Sequence, residues 1–236
     1  MAHYSEKKNL FPMQGGCPCG HTRYQLNLAP IIVHCCHCAS CQRQTGSAFA
    51  INAVVEAGAI TPLGPEPASS ITGAGGSLEP CGVMPAFARL TGGGHVPPIP
   101  TAAAADEEGG TGKKLPPARP HLITIPSPSK IGLTVAQCPV CHTVLWNYYC
   151  GQGSHAAYLR VGTLDAPWEI DPDVHIFTST RRKFVALDDG KPQFEGYYPS
   201  RAELCREEVL PRLDAIEEAA AGYRAELRKI LGVSGT

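Results

Sequence analysis

Short apolar runs, some alternating and some continuous, dominate this chain, and only its last stretch shows helical spacing. RYQLNL (residues 23–28) alternates apolar and polar positions, as a strand with one buried face does. IIVHC (31–35) and AFAINAVV (48–55) are continuous apolar runs of strand length. HLITI (121–125), CPVCHTVLWNYY (138–149), AAYLRVGTL (156–164) and HIFTST (175–180) follow as further short strands. Gly15-Gly16, Pro30 and Gly46 mark turns in the first half. Between residues 200 and 231, Leu210, Leu213 and Ile216, then Leu227, Ile230 and Leu231, recur at helical spacing. Ser200 and Glu203 resemble a capping box at the start of that segment. Pro211 is expected to split or kink it. The pattern predicts a mainly β fold with a C-terminal helix.

Residues 73–120 break the pattern, with ten Gly and eight Pro in GAGG, TGGGHVPPIP and LPPARP runs. Such a stretch has little to bury and reads as a disordered insertion. The expected organisation is a leader at 1–14, one domain at 15–199 interrupted by this insertion, and a helical tail at 200–236.

Charge narrows the partners. Lys and Arg number 20 against 21 Asp and Glu, a net charge of −1. No basic excess points to nucleic acid. No run approaches the roughly 18 apolar residues of a membrane helix, and the N-terminal residues lack the apolar stretch of a secretory signal. The expected location is the reducing cytoplasm, with no membrane partner.

In that compartment the 11 cysteines point to metal rather than to disulfides. Cys17-Pro18-Cys19 can grip one ion from a strand end, because residues i and i+2 share a face. Cys138-Pro139-Val140-Cys141 can do so from a tight turn. Two such pairs make a closed four-thiolate zinc site of the structural type. Cys36, Cys38 and Cys41 form a second set, in which three thiolates leave one coordination position open, as in catalytic zinc sites. Cys35 is taken as a non-ligand, and His34 and His37 are alternatives that would close the second site. Cys81, Cys150 and Cys205 read as free thiols or core filler.

GGCPCGHTRY (15–24), CHCASCQRQTGSAF (36–49), CPVCHTVLW (138–146), RVGTLD (160–165) and DVHIF (173–177) together resemble the glutathione-dependent formaldehyde-activating enzyme family, whose domain also occurs in centromere protein V. The stretch from His175 to Tyr198 is similar to the fungal branch. The resemblance implies a mainly β "tent" fold with two zinc ions. It implies Cys17, Cys19, Cys138 and Cys141 as the structural zinc ligands and Cys36, Cys38 and Cys41 as the catalytic ones. It also implies a carbon–sulfur lyase that condenses formaldehyde with glutathione, or acts on a related small-thiol adduct. Zinc ligation deprotonates a thiol, and zinc polarises a carbonyl, so either route fits an open three-cysteine site. Arg43, His37 and Gln42 are candidates to contact the thiol substrate. The chain departs from the family at His142, where Gly is usual, and at Phe184, where Trp is usual. If position 142 needs positive φ, His is the costlier residue. The rival expectation is a non-enzymatic zinc scaffold that binds proteins.

Overall fold

The computed structural model describes residues 2–64, 118–125, 132–149, 151–201 and 203–231. The expected insertion at 73–120 lies outside the described residues except for 118–120, and so do Cys81 and Cys150. The fold is mainly β, with two sheets and one long C-terminal helix.

The larger sheet has seven strands in the order β10-β3-β4-β9-β8-β7-β6. In chain order these are β3 (Ile32–Cys36), β4 (Ala50–Glu56), β6 (His121–Ile125), β7 (Leu133–Gln137), β8 (Val144–Tyr149), β9 (Ala156–Arg160) and β10 (Val174–Ile176). Every pairing in it is antiparallel except that of β10 with β3, which is parallel. The smaller sheet joins β1 (Met13–Gly16), β2 (Arg23–Leu26) and β5 (Ile60–Leu63) in the order β1-β2-β5.

The central strands are covered on both faces, and this explains their continuous apolar runs. On one face Val33, Ala53, Val55 and Leu159 pack with Tyr24, Leu26 and Trp146. On the other, Ile32, Val54, Tyr158, Val174 and Ile176 pack with Val209, Leu213 and Ile216 of the C-terminal region. The sequence pattern located β2, β3, β4, β6, β8, β9 and β10 to within a few residues. It missed β1, β5 and β7, and the seven-residue helix α1 (Ala39–Thr45).

Several expectations are corrected. Gly15 and Gly16 are not a turn: they end β1, paired with Tyr24 and Arg23. Glycine is needed at position 15 because a Cβ there would collide with the Tyr24 hydroxyl. The C-terminal helix α2 spans Leu210–Leu231, led in by a 3-10 turn at Glu207–Val209. Ser200 and Glu203 therefore lie ahead of the helix and form no capping box. Pro211 sits in the first turn, where its missing N–H costs nothing, so it neither splits nor kinks the helix. Cys205 precedes the helix rather than sitting on it, and is buried in the core.

α2 docks through Leu213, Ile216 and Ala220, one buried stripe at helical spacing. Arg212 fixes its start with a two-pronged ion pair to Glu56, at 2.6 Å on each oxygen. The third guanidinium nitrogen donates to the Ala29 carbonyl at 3.0 Å.

The expected loose leader is packed instead. Tyr4 is 2% exposed, and its hydroxyl donates to Asp173 at 2.6 Å. Asp173 also accepts from the Val33 backbone N–H at 2.8 Å and lies 2.8 Å from the His3 ring. One carboxylate thus joins the N-terminus, β3 and the approach to β10. The sequence pattern missed this because Tyr4 stands alone among charged residues, with no periodicity around it.

Tyr4→Phe removes one charge-assisted hydrogen bond and should lower unfolding stability by about 1–2 kcal/mol. Asp173→Ala strands the Val33 N–H and the Tyr4 hydroxyl together and should cost more, about 3 kcal/mol. Urea denaturation of the two variants checks the order; equal losses would show that Asp173 does not act as the shared acceptor.

Candidate metal centres

Two turns of similar construction bring Cys17, Cys19, Cys138 and Cys141 together. After β1 the chain turns back through Cys17–Gly20, with the Cys17 N–H bonded to the Thr22 carbonyl at 3.0 Å. Between β7 and β8 the Cys138 N–H bonds the Thr143 carbonyl at 3.0 Å in the same way. In each turn a backbone N–H also points at sulfur: Thr22 to Cys17 at 3.3 Å and Val140 to Cys138 at 3.4 Å. Donors aimed at sulfur favour the thiolate, the form that binds metal.

All four sulfurs lie within 4.8 Å of one another. Cys17 and Cys19 are 3.3 Å apart, and Cys19 and Cys138 are 3.7 Å apart. A tetrahedral zinc with sulfurs at about 2.3 Å needs edges of about 3.8 Å. The donor set and its dimensions therefore fit such an ion. Burial pushes the Cys17 and Cys19 thiols up. Burial also raises Cys141, but hydrogen bonding from Thr143, with further help from Cys19 and Cys138, brings it down to about 7.

His142 closes the second turn at φ 57°, in the left-handed region. The conformation expected if Gly were the natural choice is thus present, and His adopts it at a cost in strain.

The second set is built on the end of β3. Cys36 is the last residue of that strand, Cys38 is the N-cap of α1, and Cys41 lies within α1. The Cys41 N–H donates to the Cys38 sulfur at 3.3 Å. All three sulfurs lie within 4.8 Å of one another. The neighbouring Cys36 and Cys41 sulfurs pull the Cys38 thiol down, while the closeness of Cys38 pushes Cys36 up. Cys38 is the most exposed member of the cluster.

Residues that the motifs did not single out stand behind this set. Arg160 on β9 is 6% exposed and donates to Asn52 Oδ1 at 2.5 Å and to Gln44 Oε1 at 2.6 Å. Asn52 Nδ2 lies 4.0 Å from the Cys41 sulfur. A buried guanidinium thereby backs a cluster whose thiolates carry negative charge. The sequence signal was faint: Asn52 and Arg160 are polar residues at inward positions of apolar strands, Asn52↔Arg160 in register.

The alternative fourth ligands are turned elsewhere. His34 sits 2.9 Å from the Tyr198 hydroxyl, and burial holds its imidazole down at about 4. Cys35 and His37 lie on the opposite face of the sheet. They group with His175, a residue to which the motifs gave no role. Gln42 is occupied as a tie, donating to the His37 carbonyl at 2.7 Å and the Thr180 carbonyl at 2.9 Å. Arg43 is exposed on α1. Cys35 is absent from the three-thiol set, as the spacing suggested.

Fold and sites together define a mainly β protein with cysteine clusters dimensioned for metal. Residues 12–78 match the family described as glutathione-dependent formaldehyde-activating enzyme, which supports membership of that family. The matched segment contains Cys17, Cys19, Cys36, Cys38 and Cys41 but not Cys138 or Cys141. No curated protein matches the chain. A crystal structure of a Rhodobacter sphaeroides protein is similar at 11% identity and a TM-score of 0.33, covering 77% of this chain and 99% of that one. That likeness is too remote to bear on fold or function.

The two thiol sets should respond differently to mutation. Cys138→Ala removes a donor that joins segments 119 residues apart along the chain. Metal binding at such a closure is folding energy, so this variant should be insoluble or melt far below the parent. Cys41→Ala should retain a cooperative melt. Equal loss of Tm in both would remove the distinction. At His142, substitution by Val should destabilise by about 1–2 kcal/mol, because a β-branched residue resists positive φ. His142→Gly should change stability by less than about 1 kcal/mol. Chemical denaturation reads both.

Proposed function

We propose that the protein is a zinc-dependent carbon–sulfur lyase that joins formaldehyde to the thiol of glutathione, or to a related small thiol. The observation that carries this reading is the three-thiol set of Cys36, Cys38 and Cys41, combined with the redirection of Cys35, His34 and His37. Among the described residues, nothing closes that set into a four-ligand site. The family match at residues 12–78 supports the same substrate pair.

A zinc held by Cys36, Cys38 and Cys41 would supply Lewis acidity and a coordination position suited to a thiolate. The rest falls to the chain. β3 and α1 hold the three sulfurs in a fixed triangle, with the Cys41 N–H anchoring Cys38. Asn52, itself gripped by Arg160, orients Cys41 from behind. In the net reaction the thiol sulfur bonds the carbonyl carbon. The C=O π pair moves to oxygen, which takes the proton the thiol gives up, so no oxidant or reductant is needed. The thiolate requirement fits a reducing compartment, and the reading places the protein in the cytoplasm. The closed four-thiol set at Cys17, Cys19, Cys138 and Cys141 would take the structural zinc, giving these two sets one ion each.

The scaffold reading is favoured only if the second set were closed, and the positions of His34, His37 and Cys35 count against that.

Glutathione should bind the zinc-loaded protein, and S-methylglutathione, which cannot form a thiolate, should bind at least tenfold more weakly. Isothermal titration reads both. Formaldehyde consumption should depend on glutathione, and Cys38→Ala should abolish that dependence. Zinc-loaded protein that neither binds glutathione nor consumes formaldehyde with it would overturn the assignment.

A further inference from the structure

The motif reading leaves Cys35, His37 and His175 unused, and the fold brings them together. Side chains alternate along β3, so Cys35 and His37 face away from Cys36 and Cys38. β10 lies parallel to β3 with His175 directly opposite Cys35. The His37 N–H bonds the Ile176 carbonyl at 2.9 Å, which carries the pairing past the end of the strand. Three donor side chains therefore share one face at the β10 end of the sheet, where the His175 backbone also pairs with Pro192 and Phe194.

Their geometry is that of a ligand set. Cys35 Sγ, His37 Nε2 and His175 Nδ1 lie within 4.8 Å of one another. The His37–His175 separation is 3.1 Å and the Cys35–His37 separation is 3.5 Å. With zinc–nitrogen bonds of about 2.0–2.1 Å and zinc–sulfur bonds of about 2.3 Å, a tetrahedral ion needs edges of about 3.3 Å and about 3.6 Å respectively. The rings stack at 25° with centroids 5.4 Å apart. The far nitrogen of His175, Nε2, meets Asp189 at 2.9 Å. A carboxylate on the outer nitrogen is the arrangement that orients a metal-binding imidazole and fixes its tautomer. It leaves the Nδ1 lone pair facing the gap between the three donors.

All three donor side chains are buried. Cys35 is 4%, His37 0% and His175 5% exposed. Among the described residues His37 Nδ1 has no hydrogen-bond partner. It stays without one whether Nε2 holds a proton or a metal, so it does not decide between them.

We propose that Cys35, His37 and His175 form a third metal site, which takes a divalent transition ion of borderline softness, with zinc the first choice. One thiolate and two imidazoles suit such an ion, whereas a hard oxygen-seeking ion would not choose them. The ion staples β10 to β3, and Asp189 ties the segment after β10 to the same point. The site is independent of the proposed lyase activity, because it lies on the other face of the sheet.

The test is metal content and ligand type on the purified full-length chain. Elemental analysis should show one zinc fewer in His175→Asn and in Cys35→Ser than in the parent, whatever the parent total. X-ray absorption at the zinc edge should show imidazole scattering in the parent and lose it in His175→Asn. Asp189→Asn should keep the ion but release it to a chelator at about 10–100-fold lower concentration. If the two ligand variants fold poorly, the parent spectrum alone decides: a parent without imidazole scattering overturns the site. Equal zinc content in parent and folded variants also overturns it, and leaves the cluster as a hydrogen-bonded pair of histidines beside a thiol.

Discussion

The three-thiol centre and the cluster of Cys35, His37 and His175 both depend on β3 being buried on both faces. A strand covered on one side only would send half of its chemistry-bearing residues to solvent. Here the strand presents His34 and Cys36 to the face covered by α2, and Val33 and Cys35 to the face shared with the smaller sheet. A one-residue slip in its pairing with β4 would exchange the two sets. The register is held by Val33 and Ala53 on one face and by Ile32 and Val54 on the other, so apolar packing fixes which cysteine meets which partner.

The same constraint explains the division of labour between neighbouring residues. Cys35 and Cys36 are adjacent in sequence but serve different clusters. Cys38 turns out of the strand to cap α1, and so brings Cys41 within reach of Cys36. The buried polar residues behind the thiols answer to the same packing. Asn52 and Arg160 sit in register on β4 and β9 and satisfy each other where isolated polar groups would be costly. α2 then seals this face, held at its start by Arg212 on Glu56.

The closure between Cys17, Cys19, Cys138 and Cys141 serves a different end. It joins the two halves of the chain at the edge of the core, where Cys17 and Cys138 are buried beside Ala136 and Leu145. Its two turns use the same backbone device, a paired N–H and carbonyl with a second N–H aimed at sulfur. The strain at His142 is tolerated because the turn around it is fixed at both ends by hydrogen bonds from Cys138 and to Cys138.

The sequence by itself determined most of the strands, the long C-terminal helix and the two thiol sets, because alternation, helical spacing and close cysteine spacing are all local signals. The family resemblance raised positive φ at His142 only as a condition, which the turn around it fulfils. The sequence did not reveal β7, because the turn-rich PSPSKIG runs directly into the short LTVAQ and draws it into one connection. It misplaced the start of α2, because Ser200 and Glu203 imitate a cap that Pro211 and the 3-10 turn supply ten residues later. The packed N-terminus, the Arg160–Asn52 support and the Cys35–His37–His175 cluster were decided only by tertiary structure. Each depends on a partner more than 100 residues away, and no local pattern encodes which distant residue a strand's register will bring alongside it.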